Sequence, residues 1–214
     1  MKTLNRSKQR MSKILEILSG EYPDVTIQLN HNNAFELLIA TILSAQCTDA
    51  RVNEVTKKLF KKYNSPGDYV KAASEELEED IYSTGFYKAK ARNIKGACKM
   101  IINEFGGEVP GSMKDLLKLP GVGRKTANVL LGHMFDTPGI VVDTHVIKIS
   151  TRLGFADTRN PEIIEKILEN LIPVDKWVIF THYFINHGRK VCRARKPDCG
   201  NCVINELCPS AFKI

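Results

Sequence analysis

No stretch of this 214-residue sequence is both long and apolar enough to cross a bilayer. The most apolar run, Phe35 to Leu43, falls far short of the roughly 20 residues a spanning helix needs. No apolar run near the start resembles a secretory signal, because Met1 to Lys13 is basic and polar. No segment alternates apolar and polar residues for long enough to demand a sheet. Low-complexity segments and internal repeats are also missing. Acidic residues are the scarcer charge, 24 against 31 basic ones, which leaves +7 and a pI near 9.1. These absences exclude a chain that crosses a membrane by an apolar helix. They predict a soluble, intracellular, all-α chain with a mild preference for a polyanionic partner. With 43% apolar residues, the chain can bury a real core as one large domain or two small ones. In a reducing compartment its six cysteines point to metal or free thiols rather than disulfides.

Helical periodicity covers most of the chain. Met11, Ile14, Leu15 and Leu18 form a first apolar stripe. Ala34 to Ser44 is apolar almost all round and predicts a central, fully buried helix. The loop Ser44-Ala45-Gln46-Cys47-Thr48-Asp49 follows, with Asp49 expected to cap the next helix and Ser74 a later one. Gly85-Phe86-Tyr87 is a turn bearing two aromatics. It leads into a helix on which Lys88, Arg92, Lys95 and Lys99 share one face. That face is either an ordinary solvated one or a phosphate contact.

The chain is organised around Leu119-Pro120-Gly121-Val122-Gly123-Arg124-Lys125-Thr126-Ala127. A short helix over Asp115 to Leu119 must stop at Pro120. After the glycines, Ala127, Leu130, Leu131 and Met134 mark the buried stripe of a second helix. The N–H groups at that helix start suit a phosphate. Lys125 lies opposite the stripe and in the first turn, where the positive end of the helix dipole disfavours an ammonium. That makes it a candidate amine nucleophile, set against the plainer reading of a surface helix start. Further on, Ile140-Val141-Val142 enters Asp143-Thr144-His145. Asp143 reads as an N-cap, and a carboxylate holding backbone N–H groups is also suited to stabilising positive charge.

Cys192, Cys199, Cys202 and Cys208 fall as C-x6-C-x2-C-x5-C. Four thiols so close together signal a metal. Thiolate ligation suits zinc and iron–sulfur clusters alike, but the single C-x2-C and the Cys208-Pro209 ending favour a cluster. Arg193, Arg195 and Lys196 put a basic tip on the first loop between ligands. Cys47 and Cys98 read as free thiols in or near the core.

Together, Leu119 to Ala127, Val142-Asp143-Thr144-His145, Leu43-Ser44-Ala45-Gln46 and the four-cysteine tail resemble endonuclease III, a family of helix-hairpin-helix DNA glycosylases. The resemblance runs from about Met11 to Pro209. It implies a [4Fe–4S] cluster on Cys192, Cys199, Cys202 and Cys208. It also implies two helical domains with a DNA cleft between them. One is a six-helix domain over 27–137, with the hairpin motif at about 112–135. The other is a cluster domain over 1–26 and 138–214, with its cluster loop at 192–208.

The resemblance makes Lys125 the nucleophile and Asp143 the catalytic carboxylate of a bifunctional glycosylase and AP lyase acting on oxidised pyrimidines. Gln46 matches the residue that fills the gap left by a flipped base, and Phe86 stands where the family has a wedge, often an aliphatic one. Gly121 and Gly123, beside Arg124, match the donors to phosphate. Ser44, Asp49 and His145 match positions near the base pocket, while Arg193 and Lys196 lie on a DNA-contacting loop. The carbonyls of Leu117, Leu119 and Val122 match a monovalent-cation site. The implied partner is double-stranded DNA carrying damaged bases or abasic sites, bound by a monomer. The implied location is the cytoplasm with its nucleoid, or the nucleus or an organelle in a eukaryote. A monofunctional relative that excises mispaired bases is the alternative, and Lys125 argues against it. A non-catalytic DNA-binding protein leaves the pairing of Lys125 with Asp143 unexplained, and an electron carrier leaves the hairpin unexplained.

Overall fold

The computed structural model describes residues 2–213. Met1 and Ile214, the outer ends of the expected cluster domain, lie outside the described residues. Every regular element among the described residues is helical, as the missing alternation predicts. No helix among them is long and apolar enough to cross a membrane. The chain packs as two compact units. One covers Ile27–Thr137, and the other joins the chain up to Thr26 to the chain from Pro138 onward.

The first helix, α1 (Lys2–Glu21), belongs to the second of these units. The Ile27–Thr137 unit then runs α2 (Ala34–Leu43), α3 (Asp49–Lys62), α4 (Pro66–Lys71), α5 (Ser74–Asp80), α6 (Tyr87–Glu104), α7 (Met113–Leu116) and α8 (Arg124–Met134). Its core is organised around α2. Every residue of α2 from Leu37 to Leu43 is buried, and α3, α6 and α8 all pack on it. An apolar face all round leaves a helix no solvated side, so neighbours must surround it. Asn33 starts it, accepting the Glu36 N–H at 2.9 Å.

Two caps differ from expectation. Thr48, not Asp49, caps α3, because Thr48 is the extended residue and its hydroxyl accepts the Arg51 N–H at 3.3 Å. Ser74 is already helical, and Ala73 stands at that cap without a side-chain bond. In both places the chain turns helical one residue away from where side-chain type alone puts the boundary.

The second unit packs α1 with α9 (Thr144–Arg152), α10 (Pro161–Leu171) and α11 (Trp177–Lys190). Met11, Ile14 and Leu18 meet Val146, Ile149, Ile164, Leu168, Phe180 and Phe184 in its core. Helices α9 and α11 approach closely at Gly188. A Cβ there would lie 2.5 Å from Nδ1 of His145. Gly188→Ala is therefore expected to push the His145 ring aside and destabilise the fold by about 1–3 kcal/mol. Thermal unfolding of the variant checks this, and an unchanged Tm contradicts it.

Candidate functional site

The hairpin forms where the sequence halts one helix and starts another. Helix α7 ends at Leu116, earlier than the expected Leu119, and a turn carries the chain to Pro120. The Leu119 N–H bonds the Leu116 carbonyl at 3.1 Å, and the Val122 N–H bonds the Leu119 carbonyl at 3.1 Å. The side chains of Leu119 and Val122 are buried and root the turn, while Leu117 is exposed. Gly121 is required twice over. Its φ is +79°, and a Cβ would sit 2.9 Å from Asn93 Cβ on α6. Pro120 rests against Gly96 of the same helix.

Gly123 is the N-cap of α8, and no side chain caps that helix. Its first turn holds no acid and presents Arg124 and Lys125, both exposed. A helix start of this kind combines backbone donors, the positive dipole end and two long cationic side chains, a setting for a phosphate with an amine beside it. Lys125 thus lies at the surface, as its position opposite the apolar stripe implies.

Two loops of the same unit carry exposed side chains on strained backbone. Gln46 has φ 53° and Phe86 has φ 50°. Both are exposed, Phe86 by 66%. A left-handed residue with a Cβ costs about 1–2 kcal/mol, so it persists only where its surroundings enforce it, and such strain gathers at functional positions. Five non-glycine residues among those described have positive φ, and Lys196 on the basic loop is a third from the expected DNA-contact set. Ser44 is half-buried and donates its hydroxyl to the Thr41 carbonyl at 2.9 Å. Asp49 is half-buried in the first turn of α3.

The expected basic face of α6 divides. Lys88, Arg92 and Lys99 are exposed. Lys95 instead donates its ammonium to the Ala72 carbonyl and serves the packing of the helix.

In the other unit Asp143 is the extended N-cap of α9. Its Oδ1 accepts the His145 and Val146 N–H groups, each at 2.8 Å, which fixes the carboxylate. The His145 ring is half-buried against Gly188. Burial pushes the His145 imidazole below its usual pKa, with the Asp143 carboxylate opposing that shift.

The four cysteines line one cavity beyond the end of α11, together with Ile149, Arg152 and His187. Burial, reinforced by the neighbouring thiols, pushes the thiols of Cys202 and Cys208 up. Mutually repelling sulfurs gathered in a half-buried place suit a cationic core that neutralises them. Four thiols lining one cavity fit a thiolate-held iron–sulfur cluster.

Sequence reasoning missed two supports here. Arg152 donates to Cys192 Sγ at 3.2 Å, to the Arg193 carbonyl at 2.8 Å and to the Ala194 carbonyl at 3.1 Å. His187 is buried, with Nε2 3.5 Å from Cys202 Sγ and Nδ1 3.2 Å from the Tyr22 hydroxyl. Burial lowers the His187 pKa to about 4. Arg193, Arg195 and Lys196 are exposed on the loop that Arg152 holds.

The family described as HhH-GPD superfamily base excision DNA repair protein matches residues 39–174. The iron–sulfur binding domain of endonuclease III matches residues 192–208. An endonuclease III from Synechocystis sp. is 50% identical over 99% of this chain and 97% of its own length. Two solved structures are each 48% identical with a TM-score of 0.92, covering 96% of this chain and 97% of their own. One is a non-covalent endonuclease III–DNA complex, and the other is a trapped endonuclease III–DNA covalent intermediate with an estranged adenine.

Proposed function

The chain belongs to the endonuclease III family of HhH-GPD base excision DNA repair proteins, and from that premise we propose that it is a DNA glycosylase and AP lyase that removes oxidised pyrimidines from duplex DNA. The observation that carries this reading is Lys125, an exposed amine in the first turn of a helix that no side chain caps. A damaged base must leave the stack before its sugar is reachable. Lys125 Nζ attacks C1′, the bond to the base breaks, and a Schiff base forms between lysine and sugar. Proton loss at C2′ then breaks the C3′–O bond, which nicks the strand 3′ to the lesion. Asp143, locked by two backbone donors, stabilises positive charge developing on the sugar.

Gly121, Gly123 and Arg124 hold phosphate at the hairpin, and the carbonyls of Leu117, Leu119 and Val122 bind a monovalent cation. Gln46 and Phe86 enter the duplex. Ser44, Asp49 and His145 face the base pocket, and Arg193 and Lys196 meet the backbone. Cys192, Cys199, Cys202 and Cys208 hold a [4Fe–4S] cluster. When bound, the cluster gives the C-terminal loops a rigid core and cleaves no bond. The units Ile27–Thr137 and 1–26 with 138–214 act as the helix-hairpin-helix and cluster domains of a monomer that works on DNA in the cytoplasm and its nucleoid.

Lesion choice is the finest part of this reading. Base release and nicking are measured on duplexes carrying thymine glycol, a G·T mismatch or an abasic site. Thymine glycol and the abasic site are expected to be processed, and the mismatch slower by about 10²-fold or more. Preferential release of the mismatched thymine overturns the oxidised-pyrimidine assignment.

A further inference from the structure

Lys90 is 4% exposed, an uncommon place for an ammonium. It occupies the apolar stripe of α6, four residues before the buried Ile94. Its Nζ donates to the Leu43 carbonyl at 2.7 Å and to the Thr84 carbonyl at 2.8 Å. Its own N–H donates to the Phe86 carbonyl at 3.0 Å. Leu43 is the last residue of α2, whose final carbonyls have no partner within the helix and attract a cation. Thr84 ends the 3-10 turn Tyr82–Thr84. Gln46 follows Leu43 by three residues and Phe86 follows Thr84 by two, so one side chain pins the bases of both strained turns.

A buried cation is a poor device for stability alone, since an apolar residue of similar size often does as well or better. Fixed donors aimed at two carbonyls are instead a good device for holding two loops at a set separation. We propose that Lys90 is a positioning residue whose ammonium sets the spacing between the Gln46 loop and the Phe86 turn, so that both side chains enter the duplex in register. The inference rests on the reading of Gln46 and Phe86 as the side chains that enter DNA. Lys90 itself touches no substrate. It acts through the two carbonyls, and the left-handed conformations that follow them are what it keeps in place.

The test uses the full-length, cluster-loaded protein and a duplex with 2-aminopurine opposite a tetrahydrofuran abasic analogue. Binding that pushes side chains into the stack changes the 2-aminopurine fluorescence. Gln46→Ala and Phe86→Ala are expected to lower that change. If both leave it intact, the reading of those residues falls, and this inference with it. Lys90→Met, which keeps length but removes the donors, is expected to lower the change although Gln46 and Phe86 are both present. It is also expected to slow nicking of a duplex abasic site about tenfold, because small misplacements of positioned groups are costly. Nicking of single-stranded abasic DNA, which has no opposite base to displace, should be unaffected.

A normal fluorescence response in Lys90→Met, with altered responses in the other two variants, overturns the role of Lys90 and leaves theirs standing. Equal loss on single-stranded DNA also overturns it, since the lysine then serves the fold as a whole. Helicity and the visible absorbance of the cluster are recorded for every variant. If Lys90→Met loses helicity, Lys90→Gln, which keeps one donor group, is taken through the same assays. Loss of helicity in both variants counts against the proposal.

Discussion

Lys125→Ala is expected to bind abasic duplex about as well as the native protein and to nick it at least about 10³-fold more slowly. The substitution removes the amine of the proposed Schiff-base route. What remains is electrostatic and proton-transfer help, which cannot replace a covalent intermediate. Binding is expected to survive, because on the proposed reading the hairpin meets phosphate through the backbone at Gly121 and Gly123, and the Val122 and Leu119 bonds that shape the turn do not involve the Lys125 side chain. The fold survives too, since Lys125 is exposed and Ala is a strong helix former. Nicking rates at saturating enzyme, with affinity measured separately, distinguish the two effects. A variant that nicks at the native rate removes Lys125 from the chemistry.

Cys199→Ser is expected to cost the protein its broad visible absorption and the order of its C-terminal loops. A hydroxyl stays protonated where a thiolate ligates, so the cluster loses one of four anchors. Loss of a ligand exceeds the roughly 10–100-fold affinity cost typical of losing an outer partner. The three remaining sulfurs still repel one another in a half-buried cavity. Apart from the cluster, these loops rely on one short 3-10 turn, Asn205–Leu207, on the buried Ile204, on loop hydrogen bonds such as Asp198 N–H to the Val191 carbonyl, and on ties from Arg152 and Arg10 to neighbouring carbonyls. The variant should therefore be cut by protease after Val191 while α1 and α9 to α11 stay protected. An unaltered absorption spectrum contradicts the ligand assignment.

Much of this molecule was legible because each residue's local signal agreed with its place in the fold. The apolar run Leu37–Leu43 became the buried centre of its unit, as a helix without a polar face must. The break at Pro120 and the stripe from Ala127 gave both the hairpin and the outward direction of Lys125. Asp143 was legible as a cap, and its two backbone bonds follow from that.

What escaped was decided by distant partners. Lys95 looked like part of a basic face until the Ala72 carbonyl, far away in sequence, claimed its ammonium. Lys90 left a faint trace as a lysine on the apolar stripe, but nothing local shows that two chain turns converge on it. Arg152 and His187 carry no motif of their own. Their partners lie 40 and 15 residues away in sequence, on the loops that carry the cysteines. The caps fall at Thr48 and Ala73, one residue before the Asp49 and Ser74 that side-chain type favours, because backbone angles and not side-chain type set where a helix starts.

The central claim is that Lys125 forms a Schiff base with the sugar of a damaged nucleotide. Borohydride trapping on a duplex carrying thymine glycol, with Lys125→Ala beside the native protein, tests it most directly. Borohydride reduces the imine to a stable amine, so every trapped molecule records the intermediate. The account predicts a protein–DNA crosslink with the native chain and none with the variant. A crosslink that persists in Lys125→Ala, or none with the native chain on either thymine glycol or an abasic site, would contradict it.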